Sequence, residues 1–185
     1  MKQYFKRLDK LYNKMDMAYH KAASHYGFAC KGCGDNCCRS FFYHHTFIEK
    51  DYLFSKANKL KATDKASLQK DAMRYLKAIA LENTQGAGKP LCPLNKGEQC
   101  ILYGARPMIC RLHGIPHHLG IPGRSINKNP GCDAGTSLFN SASYFSFDRI
   151  PFYKELAEIE REYRKKFIKS GKIKQTIAHM LIDLS

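Results

Sequence analysis

No apolar run in these 185 residues approaches the ~20 needed to cross a bilayer, so a membrane-spanning helix is not expected. The first residues are not expected to act as a secretory leader either. The first twenty residues, MKQYFKRLDKLYNKMDMAYH, mix charge with aromatics and offer neither an uninterrupted apolar core nor a small-residue cleavage site. A cytoplasmic location is the resulting expectation. Familiar catalytic signatures are also lacking. There is no Gly-x-Ser-x-Gly and no His-Glu-x-x-His, and Gly86-Ala-Gly-Lys-Pro lacks both the spacing and the Ser/Thr of a phosphate-binding loop. Internal repeats and low-complexity stretches are absent.

Acidic residues are scarce: 16 against 31 Lys and Arg, a formal charge of +15. Such an excess invites a nucleic-acid reading. Its distribution tempers that reading, because residues 1–29, 51–89 and 149–185 each carry +4, and all three stretches have helical patterning. Lysines spread along helices form a solvated face more often than a dense binding arm. A basic module that binds nucleic acid therefore stands as an alternative. With 44% hydrophobic and 25% charged residues, the chain falls among ordinary globular proteins. Its length suits a single domain over 1–185.

What the chain does have is cysteine: eight, with four of them packed into Cys30-Lys-Gly-Cys33-Gly-Asp-Asn-Cys37-Cys38. Gly32, Gly34, Asp35 and Asn36 tolerate the tight turns that aim several sulfurs at one point. In a reducing compartment, clustered thiols point to metal ligands or redox groups before structural disulfides. Four disulfides would also use the even count, though a vicinal Cys37–Cys38 bond would be strained. Cys30 and Cys33 have the C-x2-C spacing of a metal knuckle. Cys37 and Cys38 cannot easily reach one small ion together, so one ligates and the other packs, or each serves a different site. Cys92, Cys100, Cys110 and Cys132 lie in residues 86–150, rich in Pro and Gly and weak in apolar periodicity. So long an irregular stretch needs something to hold it, and metal ligation would.

Around these segments the pattern is helical, and the expected fold is mainly α: amphipathic helices around loop-rich segments gathered by a cysteine metal site. Phe5, Leu8, Tyr12, Met15, Tyr19 and Ala22 mark a helix over 3–25 that stops near Gly27. Residues 39–47 could form a short extended segment. Thr46 with Glu49 predicts a capping box opening a helix to about residue 62. A further helix starts at Thr63-Asp64 and carries Leu68, Ala72, Tyr75, Leu76 and Ile79. Asp148, with Pro151 after it, caps a helix bearing Phe152, Leu156, Ile159, Tyr163 and Phe167, which Ser170-Gly171 ends. A last helix is expected from about Lys172, with Ile173, Ile177, Met180, Leu181 and Leu184.

Read together, C-x2-C-x3-C-C, Cys92-Pro93-Leu94, Cys100-Ile-Leu-Tyr103, Arg106-Pro107-Met-Ile-Cys110-Arg111 and Pro130-Gly131-Cys132 resemble the YkgJ-like cysteine-cluster family, a zinc- or iron-chelating domain of the CxxCxxCC type. The resemblance covers roughly residues 28–133, the expected metal-binding region, with helical extensions on both sides. It implies a metal-binding protein whose thiolates Cys30, Cys33, Cys37, Cys38, Cys92, Cys100, Cys110 and Cys132 hold zinc or iron, an iron–sulfur cluster included. Three residues separate Cys33 from Cys37 where the family has two, which leaves open whether Cys37 or Cys38 takes the usual role. Some proteins with this domain are linked to protein lysine methylation. That makes a metal-dependent enzyme acting on a protein or small molecule a further alternative. The order of C-x2-C-x3-C reverses that of radical enzymes using S-adenosylmethionine and gives that class no support. Arg106, Arg111 and Arg124 flank cysteines and could lower thiol pKa, bind an anion or neutralise the charge of a site. Cys110 and His113 could form a mixed pair, and His44-His45 and His117-His118 lie close to cysteine segments.

Overall fold

The computed structural model describes residues 1–30, 37–85, 90–120, 123, 126 and 128–184, with the backbone alone for 82–85. Among them, seven α-helices dominate: α1 Lys2–His25, α2 Phe47–Ala57, α3 Ala62–Gln85, α4 Met108–Arg111, α5 Thr136–Ser141, α6 Ile150–Phe167 and α7 Ile177–Ile182. The strands form two antiparallel pairs, β1 Asn95–Lys96 with β2 Gln99–Cys100 and β3 His117–His118 with β4 Lys128–Asn129. The chain is mainly α, as its periodicity predicts. No described helix is long and apolar enough to cross a membrane. The fold divides into two compact units, each made of two separate stretches: Met1–Asn36 with Met108–Lys169, and Cys37–Pro107 with Ser170–Ser185.

In the first unit α1 buries Tyr4, Leu8, Leu11, Tyr12, Met15 and Ala22 along one face. Leu11 joins the expected stripe, whereas Phe5 and Tyr19 are only half-buried at its margin. α6 runs antiparallel beside it. Arg7 grips Glu162 through two bonds of 2.5 and 3.1 Å, Lys14 meets Glu155 at 2.8 Å, and the Tyr4 ring stands edge-on to Tyr163 at 5.5 Å. Between them lie Leu156, Ile159 and Tyr163 of α6, all buried. α1 closes with a Schellman motif: Gly27 takes φ +61°, Phe28 N–H reaches Ala23 O at 2.9 Å, and Gly27 N–H reaches Ser24 O at 3.2 Å. Glycine meets that left-handed position without a Cβ clash. α4 is pinned to α1 by Arg111, whose buried guanidinium pairs with Asp16 at 2.6 Å and lies 3.9 Å from the Tyr12 ring centre.

In the second unit α3 packs against α7, burying Leu68, Ala72 and Tyr75 on one side and Ile177, Ala178 and Leu181 on the other. Gln69 of α3 donates to Leu184 O at 2.6 Å. β1 and β2 are joined by Gly97 and Glu98, both at positive φ (55° and 66°), the geometry of a two-residue type I′ hairpin. Lys96 on this hairpin pairs with Asp71 of α3, and α2 packs on the 3-10 turn Tyr103–Ala105 that follows it.

Several boundaries differ from the sequence reading. α2 ends at Ala57, and α3 already begins at Ala62. Thr46 does precede α2, but its hydroxyl donates to the Glu49 carboxylate at 2.7 Å instead of accepting from the backbone. Arg149 is the N-cap of α6; Asp148, one residue earlier, accepts the Ile150 N–H at 3.0 Å. α6 ends at Phe167, before Ser170-Gly171, with Ile168 at φ 50°. The last helix does not begin at Lys172. Gln175 instead exchanges two backbone hydrogen bonds with His44, and the helix starts after Thr176, which forms a capping box with His179.

Candidate metal centre

The second unit brings together Cys37, Cys38, Cys92 and Cys100. Cys92 N–H donates to Cys38 O at 2.7 Å, fastening the two segments by their backbones. The next two residues are Pro93, which has no N–H, and Leu94, whose N–H turns back to the Cys92 sulfur. On β2 the same arrangement repeats: Leu102 N–H donates to the Cys100 sulfur. Leu94 and Leu102 are both buried, so these bonds are shielded from water. Backbone N–H groups two residues beyond a cysteine, aimed at its sulfur, stabilise negative charge there.

Charge is distributed unevenly over the four sulfurs. Cys38 is lowered to about 6, chiefly by a hydrogen bond from Cys37, with help from the Asn95 amide and the Arg106 charge and against its burial. Burial pushes Cys92 up to about 12, and negative charge on Cys38 and Cys100 adds to the rise. Cys100 is raised as well, by burial first and then by Cys38, while Arg106 pulls the other way. Arg106 is held beside them by stacking on Tyr103 at 3.4 Å and by donating to Tyr103 O.

Asn95 was not singled out from the sequence. Its amide donates to Cys38, whereas its Oδ1 is buried with no hydrogen-bond partner among the described residues. Its position three residues after Cys92, just before a Gly-Glu turn, is the signal that could have found it. Thiolates are soft donors, and sulfurs steadied by inward N–H groups and a cationic neighbour fit zinc or iron. Among the described residues, no three His, Cys, Asp or Glu side chains converge closely enough to hold an ion. The sulfurs are neighbours, not yet a closed shell.

The first unit carries Cys30, Cys110 and Cys132; Cys33 lies outside the described residues. Cys30 is exposed at the exit from α1. Cys110 is half-buried on α4 beside the anchoring Arg111. Cys132 is buried, with its N–H on Gly114 O at 3.1 Å. None of the seven described cysteines is in a disulfide. Of the flanking arginines, Arg106 faces the sulfurs of the second unit, Arg111 pairs with Asp16, and Arg124 lies outside the described residues. His44 is buried and exposed His45 follows it, while His117 and His118 form β3.

The model of the CxxCxxCC family, described as a "putative zinc- or iron-chelating domain", matches residues 29–130. The chain belongs to this family, and zinc or iron chelation is the class of function the match supports. No curated protein and no solved structure matches it.

Proposed function

We propose that the chain chelates a zinc or iron ion through Cys38, Cys92 and Cys100, with Cys37 as the neighbour that keeps Cys38 ionised. The observation that carries this reading is the pair of backbone N–H donors, Leu94 and Leu102, aimed at the Cys92 and Cys100 sulfurs. An ordinary buried thiol is a small apolar group that needs no such donors. A thiolate bound to a metal does, because they offset the charge that several sulfurs bring to one cation. Cys30, Cys33, Cys110 and Cys132 are assigned to a second set of sulfur donors. Bound to the first set, zinc would cross-link the hairpin to the Cys37–Cys38 segment, and iron would add one-electron chemistry.

The test is anaerobic purification followed by metal analysis and a visible spectrum. Stoichiometric zinc in a colourless protein, or iron with thiolate-to-metal absorption in the visible, is the expected outcome. Cys92→Ser and Cys100→Ser should each lose metal from the first centre. Full metal content in both variants, or a wild-type protein without metal whose cysteines are oxidised in pairs, would sink the proposal.

A further inference from the structure

Arg149, in the first unit, is buried (4% exposed) and has no carboxylate partner among the described residues. One N–H of its guanidinium donates to Leu112 O, while its Nε is buried with no hydrogen-bond partner. The adjacent carboxylate in sequence, Asp148, makes no ion pair with it: it accepts the backbone N–H groups of Gly120 and Ile150, each at 3.0 Å, and its charge acts on His118 and Tyr144. The electrostatic neighbours of the guanidinium are the hydroxyls of Tyr153, Tyr19 and Tyr144. Desolvation brings its pKa down to about 10, where an ion pair would hold it up. Burying a cation without a counter-ion is unfavourable, and chains avoid the arrangement unless something supplies the missing charge.

The surroundings suit an anion. His118 Nδ1 lies 2.7 Å from the Tyr144 hydroxyl, and the His118 carbonyl accepts the backbone N–H of Arg149 at 3.1 Å. This pair keeps a donor in reserve whichever tautomer the imidazole takes. If the hydroxyl donates to Nδ1, then Nε2 carries a hydrogen; if Nδ1–H donates, the hydroxyl hydrogen remains. Lys128 lies 4.3 Å from the Tyr144 ring centre and is exposed, a cation placed to steer an anion inward.

We propose that Arg149, with the Tyr144–His118 pair beside it, is a binding site for a small-molecule carboxylate. Charge count selects the class. Arg149 supplies one buried positive charge, the nearby His117 adds none at neutral pH, because burial and Arg149 lower it to about 4, and the half-buried Asp148 carboxylate beside His118 and Tyr144 leaves no room for a second negative charge on the ligand. A monoanion neutralises one cation, whereas a phosphate dianion would bury a surplus negative charge.

The test titrates acetate into the purified full-length protein, metal-loaded, while following the Arg149 Nε–H resonance by NMR and the melting temperature. Acetamide serves as the neutral isostere, and inorganic phosphate as the dianion. The expected result is a saturable shift of the Nε–H resonance with acetate and a raised melting temperature, with no response to acetamide. Tyr144→Phe, which keeps the ring, should weaken acetate binding about tenfold. Arg149→Lys should weaken it at least as much. No saturation with acetate, an equal response to acetamide, or unchanged affinity in Tyr144→Phe overturns the site, even if Arg149→Lys fails to fold. Tighter binding of phosphate than of acetate overturns the assignment to a carboxylate.

Discussion

At neutral pH Cys92 is a protonated thiol, pushed up to about 12, whereas Cys38, lowered to about 6, is largely thiolate. Metal takes only thiolates, so loading must expel the proton from Cys92 and also from Cys100, which burial raises too. Binding at pH 7.5 should therefore release about two protons and tighten steeply as pH rises. Calorimetric titration with zinc in buffers of different ionisation enthalpy measures that number. A release near three protons, as if Cys38 were protonated as well, would contradict the uneven charging of the site. In the metal-free protein the same shift acts on stability. A thiol whose pKa is raised on folding stabilises the fold below its usual value of 9.0 and loses that contribution as pH climbs toward about 12.

Among the elements, α6 ends on a residue with little reason to be there. Ile168 is β-branched, left-handed at φ 50° and 90% exposed. Its side chain pays for the strain with almost no burial. Ile168→Gly should stabilise the protein by about 1 kcal/mol, a rise in melting temperature of about 2–4 °C in a chain of this size. Calorimetry on the metal-loaded protein checks it, and a lowered melting temperature would mean that the isoleucine packs in a way its exposure hides. The same element shows what the sequence made legible. Long helices with a full apolar stripe, α1, α3 and α6, could be read because a 3.6-residue period repeats several times over their length. Short elements could not. Lys172 looked like a helix start because Ile173 and Ile177 stand four apart, yet Gln175 between them is claimed by His44 through backbone bonds from a distant stretch. The candidate centre was legible as a roll of cysteines, because residue type survives without coordinates. The grouping of Cys37 and Cys38 with Cys92 and Cys100 was not, and neither was Asn95. Both depend on a hairpin built from two residues at positive φ, one of them Glu98, which no simple turn rule favours there.

Over the whole molecule, each unit contains a histidine held neutral by burial: His44 in one and His117 in the other, both lowered to about 4. Protonating either one is easier in the unfolded chain. Their contribution is therefore complete above about pH 6.5 and is lost as pH falls toward about 4. His44 is nearly inaccessible, with a buried Nε2 that lacks a hydrogen-bond partner among the described residues, and accounts for about 3 kcal/mol of that loss. Acid also adds charge to a chain already at +15, so both effects act in the same direction. Denaturant unfolding of wild type and His44→Phe between pH 7 and 4 should show a shallower decline for the variant. Parallel curves would mean that His44 ionises as readily folded as unfolded.

The division of each unit into two stretches has a consequence for how this chain can be cut. The chain passes from one unit to the other after Asn36, after Pro107 and after Lys169, so neither unit exists as a contiguous fragment. The family match over 29–130 inherits the difficulty. It contains Cys110 but not α1, to which Arg111 fastens α4, and it contains α3 but not α7, which covers Leu68, Ala72 and Tyr75. Its recognisable residues are thus a signature without a foundation of their own. Grafted elsewhere as an excised cassette, they would leave behind the helices against which they fold.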